Sequence, residues 1–162
     1  MDEGLVAAKA RCDREWIAVA QAETAAASYG RPATPGEAAT LARRLEAAFG
    51  AAGARIMVLH AAGVPAGYFW IEARTGGQWF LLDIWVGPAR RGQGLGRRLL
   101  RAAACMAARL GASELRLAVA ARNDAARRLF AAEGFRVTDS QMREGRIWLE
   151  MGKDLRAEPG VG

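Results

Sequence analysis

The residues best suited to chemistry form a glycine-rich stretch near the middle of the chain, Val86-Gly87-Pro88-Ala89-Arg90-Arg91-Gly92-Gln93-Gly94-Leu95-Gly96-Arg97. Its last three glycines carry no side chain, so main-chain N–H groups can approach an anion closely. The helix predicted to follow adds unpaired donors and a partial positive charge. Arginines on both sides add full charges. The stretch predicts a diphosphate site; a flexible turn before a solvated basic helix end is the alternative.

Two common nucleotide-binding loops do not fit this stretch. A dinucleotide-binding loop needs G-x-G-x-x-G near the first strand and an acidic residue about 20 positions later. Here the glycines run G-x-G-x-G, and no acidic residue ends the next strand. The P-loop pattern G-x-x-x-x-G-K-[ST] is absent from the chain.

The elements that position this loop follow from changes in the hydrophobic period. A strand over Gln78–Val86 runs into the loop, a helix over Gly94–Leu110 leaves it, and a strand over Glu114–Ala120 follows. Two strands joined by one helix are expected to be parallel. Strands over Arg55–His60 and Ala66–Arg74 precede them and form an antiparallel meander with the first.

The amino-terminal part predicts a weak strand over Leu5–Arg11 and a helix with Asp13 as its N-cap. After a break at Gly30, a second helix begins with a capping box between Thr34 and Glu37 and ends at Gly50.

The carboxy-terminal part predicts a short helix over Asn123–Ala132 and two closing strands, Phe135–Val137 and Arg146–Met151. The fold class is therefore α/β, a mixed and mostly antiparallel sheet with helices on both faces. We expect a single domain over residues 1–156 and a disordered tail over 157–162.

Two ordered motifs resemble those of the GNAT acetyltransferase superfamily. Arg91-Gly92-Gln93-Gly94-Leu95-Gly96 is similar to the family signature R/Q-x-x-G-x-G/A, and the strand before it is similar to the strand the family places there. Downstream, Asn123-Asp124-Ala125-Ala126-Arg127-Arg128-Leu129-Phe130-Ala131-Ala132-Glu133-Gly134-Phe135 resembles N-x-x-A-x-x-L-Y-x-x-x-G-F. The resemblance covers roughly residues 54–152, and it implies acetyl-CoA as the co-substrate.

The resemblance also implies cofactor-binding residues. In this family the two parallel strands splay apart, and the pantetheine arm of coenzyme A lies in the gap. Ile84, Trp85 and Val86 should lie beside that arm, and the Val86 N–H should polarise the thioester carbonyl. The loop from Arg91 to Gly96, with Arg97, should hold the diphosphate. Asn123 should contact the pantetheine or a water, or cap its helix instead.

The sequence departs from the family pattern where proton transfer would occur. Phe130 stands where the family usually has a tyrosine that protonates the leaving thiolate, and we expect it to line the acyl pocket. Ala118 stands where some relatives have a glutamate base. The candidate bases are Asp83 first, Glu72 second and Glu150 third; a surface or salt-bridged carboxylate, or a water relay, is the alternative. Tyr68 and Trp85 are candidate walls of the acceptor site.

Bulk properties exclude several other classes of protein. The apolar fraction of 52% is that of a globular domain, and no apolar run approaches the roughly 18 residues that span a bilayer. The chain has one histidine and two distant cysteines, which excludes a common zinc site and predicts reduced thiols. We expect no metal and a cytoplasmic location.

The net charge of +6 comes almost entirely from arginine, but no aromatic residues alternate with the arginines, so nucleic acid is disfavoured as a partner.

The sequence therefore predicts an acetyl-CoA-dependent N-acetyltransferase that moves an acetyl group to a primary amine of a small molecule or protein, in a ternary complex. The alternatives are a non-catalytic acetyl-CoA-binding module and a transferase of a longer acyl group. The acceptor amine is not identified. Homodimers are common in the family, so a homodimer is a further expectation.

Overall fold

A computed structural model describes residues 4–156 of the chain. Its helices and strands follow the order β1 (Gly4–Ala7), α1 (Ala10–Tyr29), α2 (Pro35–Ala48), β2 (Ala54–Ala61), β3 (Val64–Ala73), β4 (Gln78–Val86), α3 (Leu95–Arg109), β5 (Glu114–Ala120), α4 (Asp124–Ala132), β6 (Arg136–Arg143) and β7 (Arg146–Asp154). The α/β class and the meander, crossover helix and closing hairpin predicted from the sequence are confirmed. The predicted tail over 157–162 lies outside the described residues.

The seven strands form one sheet in the order β1-β2-β3-β4-β5-β7-β6. The pair β4–β5 is parallel and every other neighbouring pair is antiparallel. Alternate side chains of β2 and β3 are buried on opposite faces of the sheet. Phe69 packs in a core beneath α3, while Tyr68 and Trp70 pack in a second core beneath α1 and α2. The sheet is therefore covered by helices on both faces, as predicted.

A β-bulge in β4 changes which way its side chains face. Trp70 of β3 pairs with Asp83 and Ile71 pairs with Leu81, so Leu82 has no partner in β3. Leu81 packs in the core beneath α3, and beyond the bulge Ile84 and Val86 pack against that same core. The bulge thereby directs Leu82 and Asp83 toward α1 and α2.

The amino terminus differs from the sequence prediction. The first strand ends at Ala7, and α1 begins at Ala10 with Lys9 at its N-cap, so the assignment of Asp13 as N-cap is wrong. Asp13 lies in the first turn instead, where its carboxylate accepts hydrogen bonds from the Lys9 N–H at 2.7 Å and from Trp16 Nε1 at 2.9 Å. It reaches back to the helix start from within the helix.

The predictions of a capping box and of reduced thiols are confirmed. Thr34 and Glu37 form the capping box of α2, with the Thr34 N–H donating to Glu37 at 2.7 Å. Cys12 and Cys105 are both free thiols. Among residues 4–156 no helix is long and apolar enough to cross a bilayer.

Candidate active site

The parallel strands β4 and β5 separate partway along their length. Their pairing runs from Gln78 opposite Glu114 to Leu81 opposite Leu117 and ends there, although β4 continues to Val86 and β5 to Ala120. A cavity of about 110 Å³ opens at the point of separation. It is lined by Thr24, Ser28, Leu81, Leu82, Asp83, Ile84, Leu117, Ala118, Val119, Ala120, Asn123, Ala126 and Phe130. We call it the cleft cavity.

The far end of β4 directs one main-chain donor into the gap between β4 and β5. The Gly87 N–H donates to the Ala66 carbonyl of β3 at 2.8 Å. Successive N–H groups of a strand point to opposite edges, so the Val86 N–H points toward β5, where the strand pairing has already ended. Asp83 and Val86 direct their side chains to opposite faces of the sheet, but this does not separate them functionally, because an N–H lies in the plane of the sheet.

Beyond β4 the chain makes one turn of 3-10 helix, Pro88–Arg90, and enters the glycine loop. Gly92 and Gly94 have φ angles of 77° and 79°, which L side chains rarely adopt. A Cβ at either position would meet no described atom within 4 Å, so the main chain there borders open space. Gly96 differs: a Cβ there would lie 3.4 Å from Leu129 Cδ2, and its glycine lets α3 pack closely against α4.

The first turn of α3 leaves its donors unpaired. Gly94 is the N-cap and offers no side chain, and the first helical bond runs from the Arg98 N–H to the Gly94 carbonyl at 3.1 Å. The N–H groups of Leu95, Gly96 and Arg97 donate to no acceptor among residues 4–156. The turn contains no acidic residue. Arginines in the first turn oppose the helix dipole, so an anion bound there would relieve an unfavourable arrangement.

Two arginines of the loop region also make contacts within the protein. Arg91 donates from Nε to the Val86 carbonyl at 3.0 Å and from Nη2 to Glu23 of α1. Arg97 pairs with Glu133 at 2.9 Å. Arg101 pairs with the same carboxylate at 2.7 Å. Glu133 is only 8% exposed, so α3 is tied to the end of α4 by one buried acid.

A second cavity, of about 190 Å³, lies on the α1–α2 side of the sheet. It is lined by Gln21, Thr24, Ala25, Ser28, Tyr29, Leu41, Arg44, Trp70, Leu82, Asp83, Ala118 and Trp148. We call it the helix cavity. Thr24, Ser28, Leu82, Asp83 and Ala118 line both cavities. The two cavities therefore meet at the bulge in β4.

Asp83 is the acid at this junction. Its side chain is 8% exposed, its Oδ2 accepts a hydrogen bond from the Tyr68 hydroxyl, and its Oδ1 has no partner among the described residues. Burial raises the pKa of Asp83 to about 6, and interactions with the Tyr68 hydroxyl, the Ile84 main chain and the Thr24 side chain partly oppose that rise. Burial and the neighbouring carboxylate raise the pKa of Tyr68 well above its ordinary value. Near neutral pH, Asp83 is therefore mainly an ionised carboxylate with one unoccupied oxygen.

The other candidate bases lie elsewhere. Glu72 faces Arg74, with which it pairs at 3.0 Å, and it lines neither cavity. Glu150 lies opposite Ala118 on β7 and within 3.6 Å of Arg116, and it lines neither cavity. Of the three carboxylates singled out from the sequence, the structure brings Asp83 alone to the cavities.

The remaining predicted residues divide between the cleft cavity and its surroundings. Asn123 caps α4 by accepting from the Ala126 N–H at 3.3 Å, and it also lines the cleft cavity. Phe130 lines that cavity and packs against Phe135, with ring centroids 6.0 Å apart. Trp85 packs against Trp16 and lines neither cavity. Tyr68 is fully buried behind Asp83 and lines neither cavity; the aromatic residues that line the helix cavity are Tyr29, Trp70 and Trp148.

Sequence reasoning missed the contribution of the two amino-terminal helices. Gln21, Thr24 and Ser28 lie on one side of α1, and Arg44 follows Leu41 by three positions on α2. The sequence signal for this contribution was a line of polar residues at helical spacing on the side of α1 that otherwise faces the sheet. Gln21 in this line is only 5% exposed.

Solved structures with the same fold support the topology. The chain matches Salmonella typhimurium yncA with its cofactor acetyl-CoA at a TM-score of 0.75 and 21% identity, over 99% of this chain and 98% of that one. It matches the PaiA N-acetyltransferase of Thermoplasma acidophilum in complex with coenzyme A at 0.74 and 16%, over 95% and 99%. It matches the ribosomal-protein-alanine N-acetyltransferase of Escherichia coli at 0.73 and 18%, over 97% and 96%. At such low sequence identities, these structural matches show a shared fold alone.

Comparison with curated protein sequences finds no match for the chain. The sequence model of the Acetyltransferase (GNAT) family matches residues 16–135, well over half of the chain. The splayed parallel strand pair and the glycine loop with unpaired donors agree with this match, which covers most of the chain. The protein therefore belongs to the GNAT acetyltransferase family.

Proposed function

We propose that this protein is an acetyl-CoA-dependent N-acetyltransferase that acetylates a primary amine by direct attack in a ternary complex. The observation that carries the proposal is the junction of the two cavities at Asp83. The cleft cavity lies where β4 and β5 separate, and the helix cavity, on the α1–α2 side of the sheet, shares Asp83 with it. Acetyl-CoA in one cavity and an amine in the other would therefore meet at Asp83.

The residues around the glycine loop fit acetyl-CoA. The unpaired N–H groups of Leu95, Gly96 and Arg97, together with open space at Gly92 and Gly94, suit a diphosphate. In two similar structures acetyl-CoA or coenzyme A is bound, which supports the same ligand here. Bound acetyl-CoA supplies a thioester; its acyl carbon forms a bond to the amine nitrogen, and its C–S bond breaks.

The chain's own residues would assist in three ways. The Val86 N–H, directed into the strand gap, would donate to the thioester oxygen and stabilise the negative charge that develops there, an effect worth on the order of 3 kcal/mol in comparable sites. Asp83 would take the proton that the attacking amine loses, through its unoccupied Oδ1 or one water. Phe130 would close the acyl pocket.

No hydroxyl stands at Phe130 to protonate the departing sulfur. A thiol pKa of roughly 8.5 makes a thiolate a tolerable leaving group near neutral pH, so the sulfur can take its proton from water. Asn123, which caps α4 and lines the cleft cavity, would contact the pantetheine arm.

A thiol-release screen tests this function. Acetyl-, propionyl- and succinyl-CoA are each mixed with a panel of primary amines, and free thiol is measured with and without protein. We expect release with acetyl-CoA that depends on an amine and is largely lost in Asp83→Asn, while the matched variant Glu72→Gln retains it. Binding of acetyl-CoA without release for any amine would instead favour a non-catalytic module, and a preference for succinyl-CoA would favour transfer of longer groups.

A further inference from the structure

We propose that the acceptor is a compact amino acid whose carboxylate pairs with Arg44 while its amine faces Asp83. This inference rests on the proposed N-acetyltransferase function and names its substrate class. It starts from the charges of the helix cavity: among the residues that line it, only Arg44 and Asp83 carry formal charge.

The two charges stand at different depths. Asp83 is 8% exposed and also lines the cleft cavity, so it marks the inner end where acetyl transfer would occur. Arg44 lines the helix cavity and is exposed to solvent, so it marks the mouth. A ligand with an ammonium group at one end and an anion at the other matches this order, with the nitrogen placed at the reacting end.

Arg44 is available for such a ligand. It forms no hydrogen bond or ion pair with any residue in the described range 4–156. Its neighbours on the same two helices are engaged: Arg43 donates to Thr40 at 3.2 Å, and Arg14 of α1 pairs with Glu46 of α2 at 2.9 Å. The guanidinium group is the cation best shaped for bidentate pairing with a carboxylate.

The cavity also disfavours a strongly cationic acceptor. Asp83 is its single lining acid, and a second ammonium group, as in a polyamine, would lie toward Arg44 rather than toward a carboxylate. The walls between the charges combine apolar and aromatic residues with polar residues of α1: Tyr29, Leu41, Trp70, Leu82 and Trp148, and Gln21, Thr24 and Ser28. The volume of about 190 Å³ is below the roughly 300–1,000 Å³ of sites for drug-sized ligands, which favours a single amino acid.

Matched acceptors separate the carboxylate from the rest of the molecule. Leucine and phenylalanine are each compared with the corresponding amide and with the decarboxylated amine. Dissociation constants are measured by calorimetry on protein saturated with coenzyme A, so that binding is observed without chemistry, and thiol release is measured in parallel with acetyl-CoA. Arg44→Ala is the test variant, and Arg43→Ala, on the same helix but outside the cavity lining, is its control.

We expect the free amino acid to bind at least tenfold more tightly than its amide, as a charge-assisted contact implies. Arg44→Ala should remove this preference, weakening the amino acid about tenfold and the amide less than twofold, whereas Arg43→Ala should retain it. Comparing variants with one acceptor cancels differences in intrinsic amine reactivity.

Equal affinities for acid and amide, or no binding of either amino acid, would overturn the inference. Acetylation of the amides with no preference for the free acids would also overturn it and would point to a peptide amino terminus as acceptor. If the amino acids bind with the Arg44 dependence but no thiol is released, the assignment of the cavity stands and the proposed transferase function fails.

Discussion

The hydroxyl of Tyr68 donates a hydrogen bond to Oδ2 of Asp83 across the pair of strands β3 and β4. Both side chains are buried, and Tyr68 packs edge-to-face against Trp16, with ring centroids 5.6 Å apart. The tyrosine thereby fixes one carboxylate oxygen and leaves the other, Oδ1, without a partner among the described residues. We interpret Tyr68 as a positioning residue that orients Asp83 toward the junction of the cleft and helix cavities.

The pH dependence of turnover should report this pair. Asp83 accepts a proton only when ionised, so kcat/KM should rise with pH through about 6. Tyr68→Phe removes a hydrogen bond that favours the carboxylate, so this acidic limb should move upward by about one pH unit. In Asp83→Asn the limb should disappear and kcat should fall by about 10²–10⁴-fold.

The measurement is a kcat/KM profile from pH 5 to 9 with one acceptor. The limb that belongs to the acceptor's own ammonium group lies at higher pH and should be common to all variants. Glu150→Gln is the control, since Glu150 lines neither cavity. An acidic limb that stays in place in Tyr68→Phe would show that Tyr68 does not act on Asp83.

The same burial should make Asp83 a destabilising residue at neutral pH. The pKa of its carboxyl is about 6 in the folded protein and 3.8 ordinarily, so the native state binds more protons between these values. Its contribution to the free energy of unfolding therefore falls as pH rises from about 4 to 6. Asp83→Asn cannot ionise at this position. Its free energy of unfolding, relative to that of wild type, should therefore be about 2–3 kcal/mol higher at pH 7.5 than at pH 4. Urea unfolding at both pH values checks this, and an equal difference at both would contradict it.

Gly94 tests the glycine loop. It is the N-cap of α3, has a φ of 79° and borders open space. Gly94→Glu should abolish acetyl-CoA binding, because a carboxylate would occupy the proposed diphosphate position. Gly94→Ala imposes the same backbone strain, about 1–2 kcal/mol, without the charge, and should weaken binding far less. Calorimetric titration with acetyl-CoA distinguishes them; unchanged affinity in Gly94→Glu would remove the loop from the binding site.

Glu133 should stabilise the junction of α3 and α4. It is 8% exposed and pairs with Arg97 and Arg101, whose side chains remain about half exposed or more. Glu133→Ala should therefore lower the free energy of unfolding by about 1–2 kcal/mol, since the arginines stay hydrated when their partner is removed. Glu46→Ala breaks the exposed pair with Arg14 and should cost less than about 0.5 kcal/mol. Similar losses in urea unfolding would show that the burial of Glu133 contributes little.

The parts of the fold that were predictable from sequence are those with strong local signals. The capping box at Thr34, the strand and helix on either side of the glycine loop and the cap at Asn123 all depend on neighbouring residues, and the structure has each of them. The assignment of Asp13 as the N-cap was wrong because an acidic residue in the first turn of a helix produces much the same sequence pattern as one at the N-cap.

The candidate site was predictable only where a motif marks it. The loop and the two parallel strands carry such motifs, whereas the helix cavity is assembled from α1, α2 and four strands that lie far apart in the chain. The bulge at Leu82, which turns Asp83 toward α1 and α2, depends on the register between β3 and β4 and leaves no sequence signal of its own. Arg44 was therefore indistinguishable from the other arginines of this basic chain.

A crystal structure of the protein with acetyl-CoA would locate both the diphosphate and the thioester. We expect diphosphate oxygens within about 2.7–3.2 Å of the N–H groups of Leu95, Gly96 and Arg97, and the thioester oxygen at the same distance from the Val86 N–H. A diphosphate bound elsewhere, or a thioester outside the gap between β4 and β5, would contradict this expectation.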